Sequence, residues 1–440
     1  MSIKCLLILL DGLGDRSYPS LDNRTPLQAA FTPNLDHLAA LGANGLYHAS
    51  RQGLALPGES AHFAMFGYGM EEFPGRGALE ALGAGVALAP GDVAILAHFV
   101  SVRRANRCLV LQKQNPKLKG QEAEELFRAV GELEYLGVQF CFSQTRGAKG
   151  ILRLRGRISP HITDSDPMQA GRALMAIRAW QQHAGDPDTV HTADALNGYL
   201  QWVYELLSGH SVNQARQRAG EPPVNMVVTQ RAGRLKSVQP FFQRYGLHGL
   251  SIAGGIVYQG LATFLGLDQR KVNDAPDAGA DIAQKLELAR KALDSYDFVH
   301  VHSKAPDEAG RTKNPLAKKA AIEALDAGIG TKINELLADP ELLIVVTADH
   351  CTPSAGPLIH SGETVPLLLC GPGLRRDAVV HFDEVSACAG ALGSVRGREL
   401  MYLVLNHLDR AKLQGIMDTP VDQPYWPGGY EPFCIDRRKR

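Results

Sequence analysis

The sequence predicts an α/β protein built on a mostly parallel sheet, and three apolar runs with the same kind of ending predict it. The first is Cys5-Leu6-Leu7-Ile8-Leu9-Leu10, which stops at Asp11-Gly12-Leu13-Gly14-Asp15. The second is Phe298-Val299-His300-Val301-His302, which passes through Ser303 and Lys304 to Pro306-Asp307-Glu308. The third runs up to Val345-Val346-Thr347 and ends in Ala348-Asp349-His350. Six apolar residues without alternation, as at 5–10, read as a strand buried on both faces, which is the habit of parallel sheets. In an open α/β sheet the carboxyl ends of such strands line one crevice. Asp11, Asp307 and Asp349 at three strand ends therefore point to a carboxylate-lined cation site on that edge.

The elements follow in chain order. After the first strand, Thr32-Pro33-Asn34-Leu35-Asp36-His37-Leu38-Ala39 has the signature of a helix start, with Thr32 at the N-cap and Pro33 at the first helical position. The glycine-rich stretch from Gly53 to Gly91 reads as loops. Between 104 and 250 the pattern changes, with helices expected over 120–138, 166–183 and 192–207 and short strands over 150–154 and 224–228. That is an inserted, smaller α/β (α+β) domain. Strands at 298–302, 342–347 and 365–370 resume the first pattern, so the core domain is expected from 1–103 plus 251–440, its sheet assembled from both ends of the chain.

Composition narrows the function. With 440 residues and 45% hydrophobic content the chain supports a large core and two domains. Lys plus Arg and Asp plus Glu both number 46, so no overall field attracts nucleic acid or an anionic membrane. The basic end, Arg437-Arg438-Lys439-Arg440, reads as a solvated tail. No run approaches the roughly 20 apolar residues of a membrane span, and residues 1–4 lead into the first strand, which predicts a cytoplasmic protein. Seven cysteines without a Cys-x-x-Cys pair argue against a disulfide framework or a thiolate zinc site.

The residues at the strand ends carry the chemistry. Carboxylate and imidazole suit Zn²⁺ or Mn²⁺, and Asp349-His350 with His360 nearby supply both. The plainer readings are a turn former for Asp11 and a helix cap for Asp349. His300 and His302 alternate on a strand, where hydrogen-bonded core histidines are common. Arg153, Arg155 and Arg157 fit a half-exposed strand as well as an anion-binding face. Arg76, among glycines, has room for a ligand, and Lys304 stands close before Asp307.

Longer matches span almost the whole chain. They include Asp11-Gly12-Leu13-Gly14-Asp15, Phe66-Gly67-Tyr68, Pro74-Gly75-Arg76-Gly77-Ala78-Leu79-Glu80-Ala81-Leu82-Gly83-Ala84-Gly85, Ile162-Thr163-Asp164-Ser165-Asp166-Pro167, Asn213 with Arg216, Pro306-Asp307-Glu308-Ala309-Gly310, and the region from Asp349-His350 to His360. In these the chain resembles the archaeal-type, cofactor-independent phosphoglycerate mutases of the alkaline phosphatase superfamily. The resemblance implies an alkaline-phosphatase-like sheet sandwiched by helices. It implies one or two Mn²⁺ or Zn²⁺ ions, with Asp11, Asp349 and His350 on one and Asp307 and His360 on the other. It also implies a serine nucleophile that takes up and returns a phosphoryl group, and Arg76, Asp164 and Arg216 as substrate-binding residues.

The chain departs from that pattern at named positions. The family's nucleophile stands four residues before His62, and here that residue is Gly58, which has no oxygen to accept a phosphoryl group. Ser60 is the hydroxyl left in the loop. The second-metal histidine of the family falls on Arg311, whose guanidinium stays protonated and cannot ligate a cation but can fill its charge position. Gln259 stands for a lysine, and Leu96 and His98 for an arginine and an asparagine. Each lost contact would cost about two to four orders of magnitude in an ordinary phosphoryl-transfer site. Three functions result. One is a metalloenzyme that transfers or hydrolyses the phosphoryl (or phosphonyl) group of a small metabolite, with hydroxide or Ser60 attacking and Lys304 and Arg311 holding charge. The second is a non-catalytic relative that binds a phosphometabolite or a protein. The third is an ordinary 2-/3-phosphoglycerate mutase using Ser60. The substrate is a small phosphorylated metabolite in each enzymatic case; the sequence carries no reading of oligomeric state.

Overall fold

A computed structural model describes residues 3–411 and Ile435. The basic tail at 437–440 and Cys434 lie outside the described residues. The chain divides into two compact units, one of residues 1–71, 240–254 and 267–440, the other of residues 72–239 and 255–266.

The first unit is built on an eight-stranded sheet. Its order is Asp268–Lys271, Gly249–Ala253, Phe298–Ser303, Lys4–Leu10, Leu342–Thr347, Val365–Cys370, Ala43–His48, Gly393–Arg396. Lys4–Leu10 lies at the centre and pairs in parallel with both neighbours, as its unbroken apolar sequence predicts. Val365–Cys370 runs antiparallel to both of its neighbours, so the sheet is mostly but not wholly parallel. Strands Lys4–Leu10, Phe298–Ser303 and Leu342–Thr347 are buried almost end to end.

Helices cover this sheet through specific contacts. Ala278–Ala292 and Pro315–Gly330 approach so closely that a Cβ at Gly328 would meet the Gly279 carbonyl at 2.3 Å, which only glycine permits. Thr32 stands at the N-cap of Pro33–Leu41 but its side chain makes no capping bond. Asp326, from Pro315–Gly330, takes over that role and accepts from Leu35 N at 2.8 Å and Asn34 N at 3.3 Å.

The second unit contains an antiparallel sheet in the order Cys108–Lys113, Val93–Ala105, Lys149–Arg155, Val138–Arg146, Glu132–Tyr135, with Met226–Gly233 also paired to Val93–Ala105. Its own core includes Phe99, Phe127, Phe140, Phe142, Leu196, Tyr199 and Val203. The helix expected over 192–207 is Pro187–Ser208.

Three local expectations are corrected. The helix expected over 120–138 stops at Val130, and the chain turns into the hairpin of Glu132–Tyr135 and Val138–Arg146 through Leu136 and Gly137, both at positive φ. The helix expected over 166–183 is extended chain, with only Gln181–His183 in a 3₁₀ turn. Its amides are drawn to an edge strand instead: Gly171 N donates to Leu111 O at 2.8 Å, and Leu174 N to Leu109 O at 2.8 Å. The stretch 53–91, expected as loops, holds the helices Gly58–Met65 and Arg76–Gly83, the first of them wholly buried. Among the described residues no helix is long and apolar enough to cross a membrane. The cysteines at 5, 108, 141, 351, 370 and 388 are free thiols.

Candidate metal centre

Parallel register gathers the acidic residues. Leu10 pairs with Ser303, and Leu9 with Thr347, so the chain leaves three adjacent strands at the same edge. Asp11 follows one strand, Ala348-Asp349-His350 another, and Asp307 lies in the first turn of Ala305–Arg311 after the third. Ligand atoms of Asp11, Asp349 and His350 all lie within 4.8 Å of one another, and all three residues are buried. His350 Nε2 is 3.2 Å from Asp11 Oδ1 and 3.3 Å from Asp349 Oδ2. A second group, Asp307, His350 and His360, meets the same 4.8 Å limit. The rings of His350 and His360 stack with centroids 3.8 Å apart.

A glycine makes the close packing possible. Gly12 takes φ +66°, and a Cβ there would meet Thr352 Oγ1 at 2.5 Å and Asp307 Cβ at 2.8 Å. Its N–H donates to Asp349 Oδ1 at 3.1 Å. The first loop is thereby hydrogen-bonded to the carboxylate of the neighbouring one.

The electrostatics are those of acids crowded away from water. Burial, and then the charge of Asp11, hold the Asp349 carboxyl well above the usual range. Asp11 is held well below it: burial opposes the shift, but hydrogen bonds from His302 and His350 outweigh it. His350 is raised although burial works against its charged form, because Asp349 and Asp11 face it. Two carboxylates and an imidazole in one dry cluster fit a divalent cation, whose charge would relieve the repulsion between the acids.

A layer of histidines and lysines supports the acids, and most of it has no signal in the sequence. His62 Nδ1 is 3.0 Å from Asp349 Oδ2 and 3.1 Å from Gly58 O. His302 Nε2 is 3.1 Å from Asp11 Oδ2, so of the two strand histidines this one faces the acids, while His300 Nδ1 bonds Ser251 Oγ at 3.0 Å. Burial pushes His62 and His302 each down to about 4, so both are neutral N–H donors. Lys285 is buried and reaches Asp281 at 2.6 Å, Asp274 at 2.8 Å and the His302 carbonyl at 3.0 Å. Lys318, also buried, bonds Gly14 O at 2.9 Å and Thr352 O at 2.8 Å and lies 3.2 Å from Asp15. Lys318 is hidden by the 304 residues between it and Gly14, whereas Lys285, four residues after Asp281, reads in the sequence as an ordinary exposed helix pair.

The remaining sequence candidates fall in different places. Ser60 is buried in Gly58–Met65, and at 3.6 residues per turn it stands about 200° round that helix from both Gly58 and His62. Since His62 faces Asp349, Ser60 faces away from the acids. Lys304 pairs with Asp274 at 2.8 Å. Arg311 pairs with Asp307, Nε to Oδ2 at 2.6 Å, and its Nη2 meets His360 Nε2 at 3.0 Å. Arg76, Asp164 and Arg216 belong to the second unit. There Arg76 bonds Glu80 at 2.7 Å, and Asp164 accepts from Arg231 N at 2.7 Å. Arg216 is buried, its guanidinium taken up by Glu122 at 3.0 Å, Glu221 at 3.1 Å and Pro222 O at 3.0 Å.

A mostly parallel α/β sheet with buried Asp and His at its carboxyl edge defines the class of metal-site α/β proteins, and comparison with known proteins agrees. The profile of the metalloenzyme superfamily matches residues 3–407. The chain is 39% identical over 422 residues to the 2,3-bisphosphoglycerate-independent phosphoglycerate mutase 2 of Methanocaldococcus jannaschii, covering 94% of this chain and 95% of that one. Among solved structures, the cofactor-independent phosphoglycerate mutase of Thermoplasma acidophilum superposes with a TM-score of 0.65 at 31% identity, over 92% of this chain and all of that one, 100%. The PH0037 protein of Pyrococcus horikoshii gives a TM-score of 0.78 at 28% identity, over 94% and 100% of the two chains. The chain belongs to the 2,3-bisphosphoglycerate-independent phosphoglycerate mutase family of the metalloenzyme superfamily.

Proposed function

We propose that this chain is a metal-dependent enzyme that moves or hydrolyses the phosphoryl group of a small phosphorylated metabolite, with the phosphoglycerates as the first substrates to consider. One observation carries the reading: Asp11, Asp349 and His350 bring three ligand atoms within 4.8 Å in a buried cluster. These residues would hold Mn²⁺ or Zn²⁺, and the ion would supply charge neutralisation for phosphate oxygens. The chain's own groups do the rest. His62 and His302 orient the two carboxylates, Gly12 keeps the loops in register, and Arg311 adds positive charge beside Asp307, while Lys304 is paired with Asp274. A cytoplasmic setting goes with that substrate class, because the charge of a phosphate ester keeps it inside the cell that made it.

The nucleophile separates this reading from an ordinary mutase. Gly58 offers no hydroxyl and Ser60 is on the far face of the helix, so the acceptor oxygen belongs to water or to the substrate. The same observation favours a second reading, a protein that binds a phosphometabolite without turning it over.

Metal analysis after reconstitution with Mn²⁺ or Zn²⁺, for wild type and Asp349→Ala, tests the centre. Bound metal in the wild type and its loss in the variant are expected. Metal-loaded wild type is then given 2- and 3-phosphoglycerate, with free phosphate and isomerised ester both followed. Thermal stabilisation by these esters without turnover would move the protein to the second reading. No metal in either protein would sink the first.

A further inference from the structure

We propose that the guanidinium of Arg311 is a built-in cation that occupies the second ion's place, so that the centre takes one metal ion and not two. This rests on the metal-dependent reading above and adds to it how many ions the site holds.

Two groups of ligand atoms share His350, and the structure treats them differently. In the group Asp307, His350 and His360, Arg311 already holds two of the three residues: Nε reaches Asp307 Oδ2 at 2.6 Å, and Nη2 reaches His360 Nε2 at 3.0 Å. A guanidinium is always protonated and only donates, so His360 Nε2 is the acceptor in that bond. The other ring nitrogen of His360 then carries the proton, and Nδ1 donates to Leu56 O at 2.9 Å. The lone pair of His360 that a metal would use is therefore the one that Arg311 uses.

His350 is turned towards the other group. Thr352 Oγ1 donates to Asp307 Oδ1 at 2.7 Å, which leaves its oxygen to accept from His350 Nδ1 at 3.3 Å. His350 Nε2 points at Asp11 and Asp349, and with Nδ1 kept as the N–H that meets Thr352, Nε2 is the nitrogen that would exchange its proton for a cation held by those two acids. Asp349 also accepts hydrogen bonds, from Gly12 N, His350 N and His62 Nδ1, but these donors are neutral and a carboxylate oxygen has lone pairs to spare for a cation. Arg311 differs in kind, because it brings a full positive charge. A divalent ion at its usual distance of about 2.0 to 2.2 Å from Asp307 and His360 would have to displace that charge or sit against it.

The test counts ions on the full-length protein. Wild type, Arg311→His and Arg311→Lys are reconstituted with excess Mn²⁺, freed of loose ion by gel filtration, and analysed for metal per chain. We expect about one ion in wild type and in Arg311→Lys, which keeps the charge, and about two in Arg311→His, which removes it and supplies an imidazole. Electron paramagnetic resonance gives a second readout: a spin-coupled Mn²⁺ pair is expected in Arg311→His only. If Arg311→His does not fold, Arg311→Gln takes its place, and titration should then show a second, weaker ion. Two ions in the wild type would overturn the proposal while leaving the metal-dependent reading intact, and so would one ion in every variant. No ion in any of them would remove that reading, and the proposal with it.

Discussion

His62 Nδ1 lies 3.0 Å from Asp349 Oδ2, although 287 residues separate the two in the chain. Burial holds His62 down at about 4, so the ring is neutral and Nδ1–H donates to the carboxylate and, at 3.1 Å, to the Gly58 carbonyl. The imidazole thus fixes how Asp349 presents its oxygens. Partners of this kind behind a metal ligand are worth about 10- to 100-fold in affinity. His62→Ala is therefore expected to weaken Mn²⁺ binding by that factor, as read from an equilibrium titration. His62→Asn, whose amide can still donate, should recover part of it. Unchanged affinity in His62→Ala would mean that the backbone N–H groups of Gly12 and His350 are enough to orient Asp349.

Gly12 offers a stricter test of the loop geometry. Its φ of +66° lies in the left-handed region, and a side chain there would run into Thr352 and Asp307. A non-glycine residue in such a conformation costs about 1 to 3 kcal/mol before any clash. Gly12→Ala should lower the melting temperature and also reduce metal binding, because the loop must back away from Asp349 to admit the methyl group. Loss of stability with full metal binding would show that the acids do not depend on this turn.

How much of this was legible before folding differs by element. The strands at 5–10, 342–347 and 365–370 could be read because a continuous apolar run has few other uses. The cluster of Asp11, Asp349 and His350 could be read because each stands just past such a run. The segment 166–183 could not: Ala, Leu, Met and Ile suit a helix, but an open strand edge at 108–113 offered its backbone a pairing that local propensity does not record. Gly58–Met65 was missed because Gly53, Pro57 and Gly58 look like loop punctuation, although the residues after them pack at every position. His62 and Lys318 were missed for another reason. Their carboxylate partners, Asp349 and Asp15, are hundreds of residues away, and no spacing rule reaches them.

Lys318 is buried against Asp15, with its remaining protons on the carbonyls of Gly14 and Thr352. Those carbonyls belong to the two loops that also carry Asp11 and Asp349. Removing one partner of a buried ion pair strands the other, at a cost of about 3 to 5 kcal/mol. Lys318→Met should destabilise by about that much in chemical denaturation. Lys318→Met combined with Asp15→Asn should cost less than the sum of the two single changes, since each removes the charge that the other leaves exposed. Additive effects would mean that the pair contributes no coupling.

Glu384 gives the protein a pH dependence of known sign. Burial pushes its carboxyl from 4.5 up to about 7, against a hydrogen bond of 2.7 Å from the Thr25 hydroxyl and one of 3.1 Å from Asp15 N. Between these two values the folded state binds more protons than the unfolded one, so stability falls as pH rises. The contribution is complete below 4.5 and is lost as pH rises through 7. The side chain keeps some contact with solvent, so the effect is at most about 3 kcal/mol. Glu384→Gln, which can accept from Asp15 N and donate to Thr25, should melt higher than wild type at pH 8 and no higher at pH 5. An equal gain at both values would point to packing instead of protonation.

The last prediction concerns the position where the family carries its nucleophile. Gly58 opens the helix Gly58–Met65, and its carbonyl meets the same His62 nitrogen that lies 3.0 Å from Asp349, so this residue stands on the side of the helix that His62 presents to the acids. It is not among the glycines at positive φ, and serine is well tolerated at the start of a helix. Gly58→Ser should therefore fold, and it places a hydroxyl where the chain has none. With metal loaded and a phosphoglycerate supplied, the variant is expected to take up one phosphoryl group covalently at position 58, seen by mass spectrometry of an acid-quenched sample. Wild type should show none under the same conditions. Transfer between the 2- and 3-positions should rise about 100-fold or more, the lower end of what such a group contributes. A labelled residue 58 without faster transfer would place the remaining defect in the charge around the phosphate, with Arg311 and Gln259 as the next positions to change. If Gly58→Ser binds metal normally and is never phosphorylated, the helix does not present this position to the substrate and the chain's chemistry lies in hydrolysis or binding.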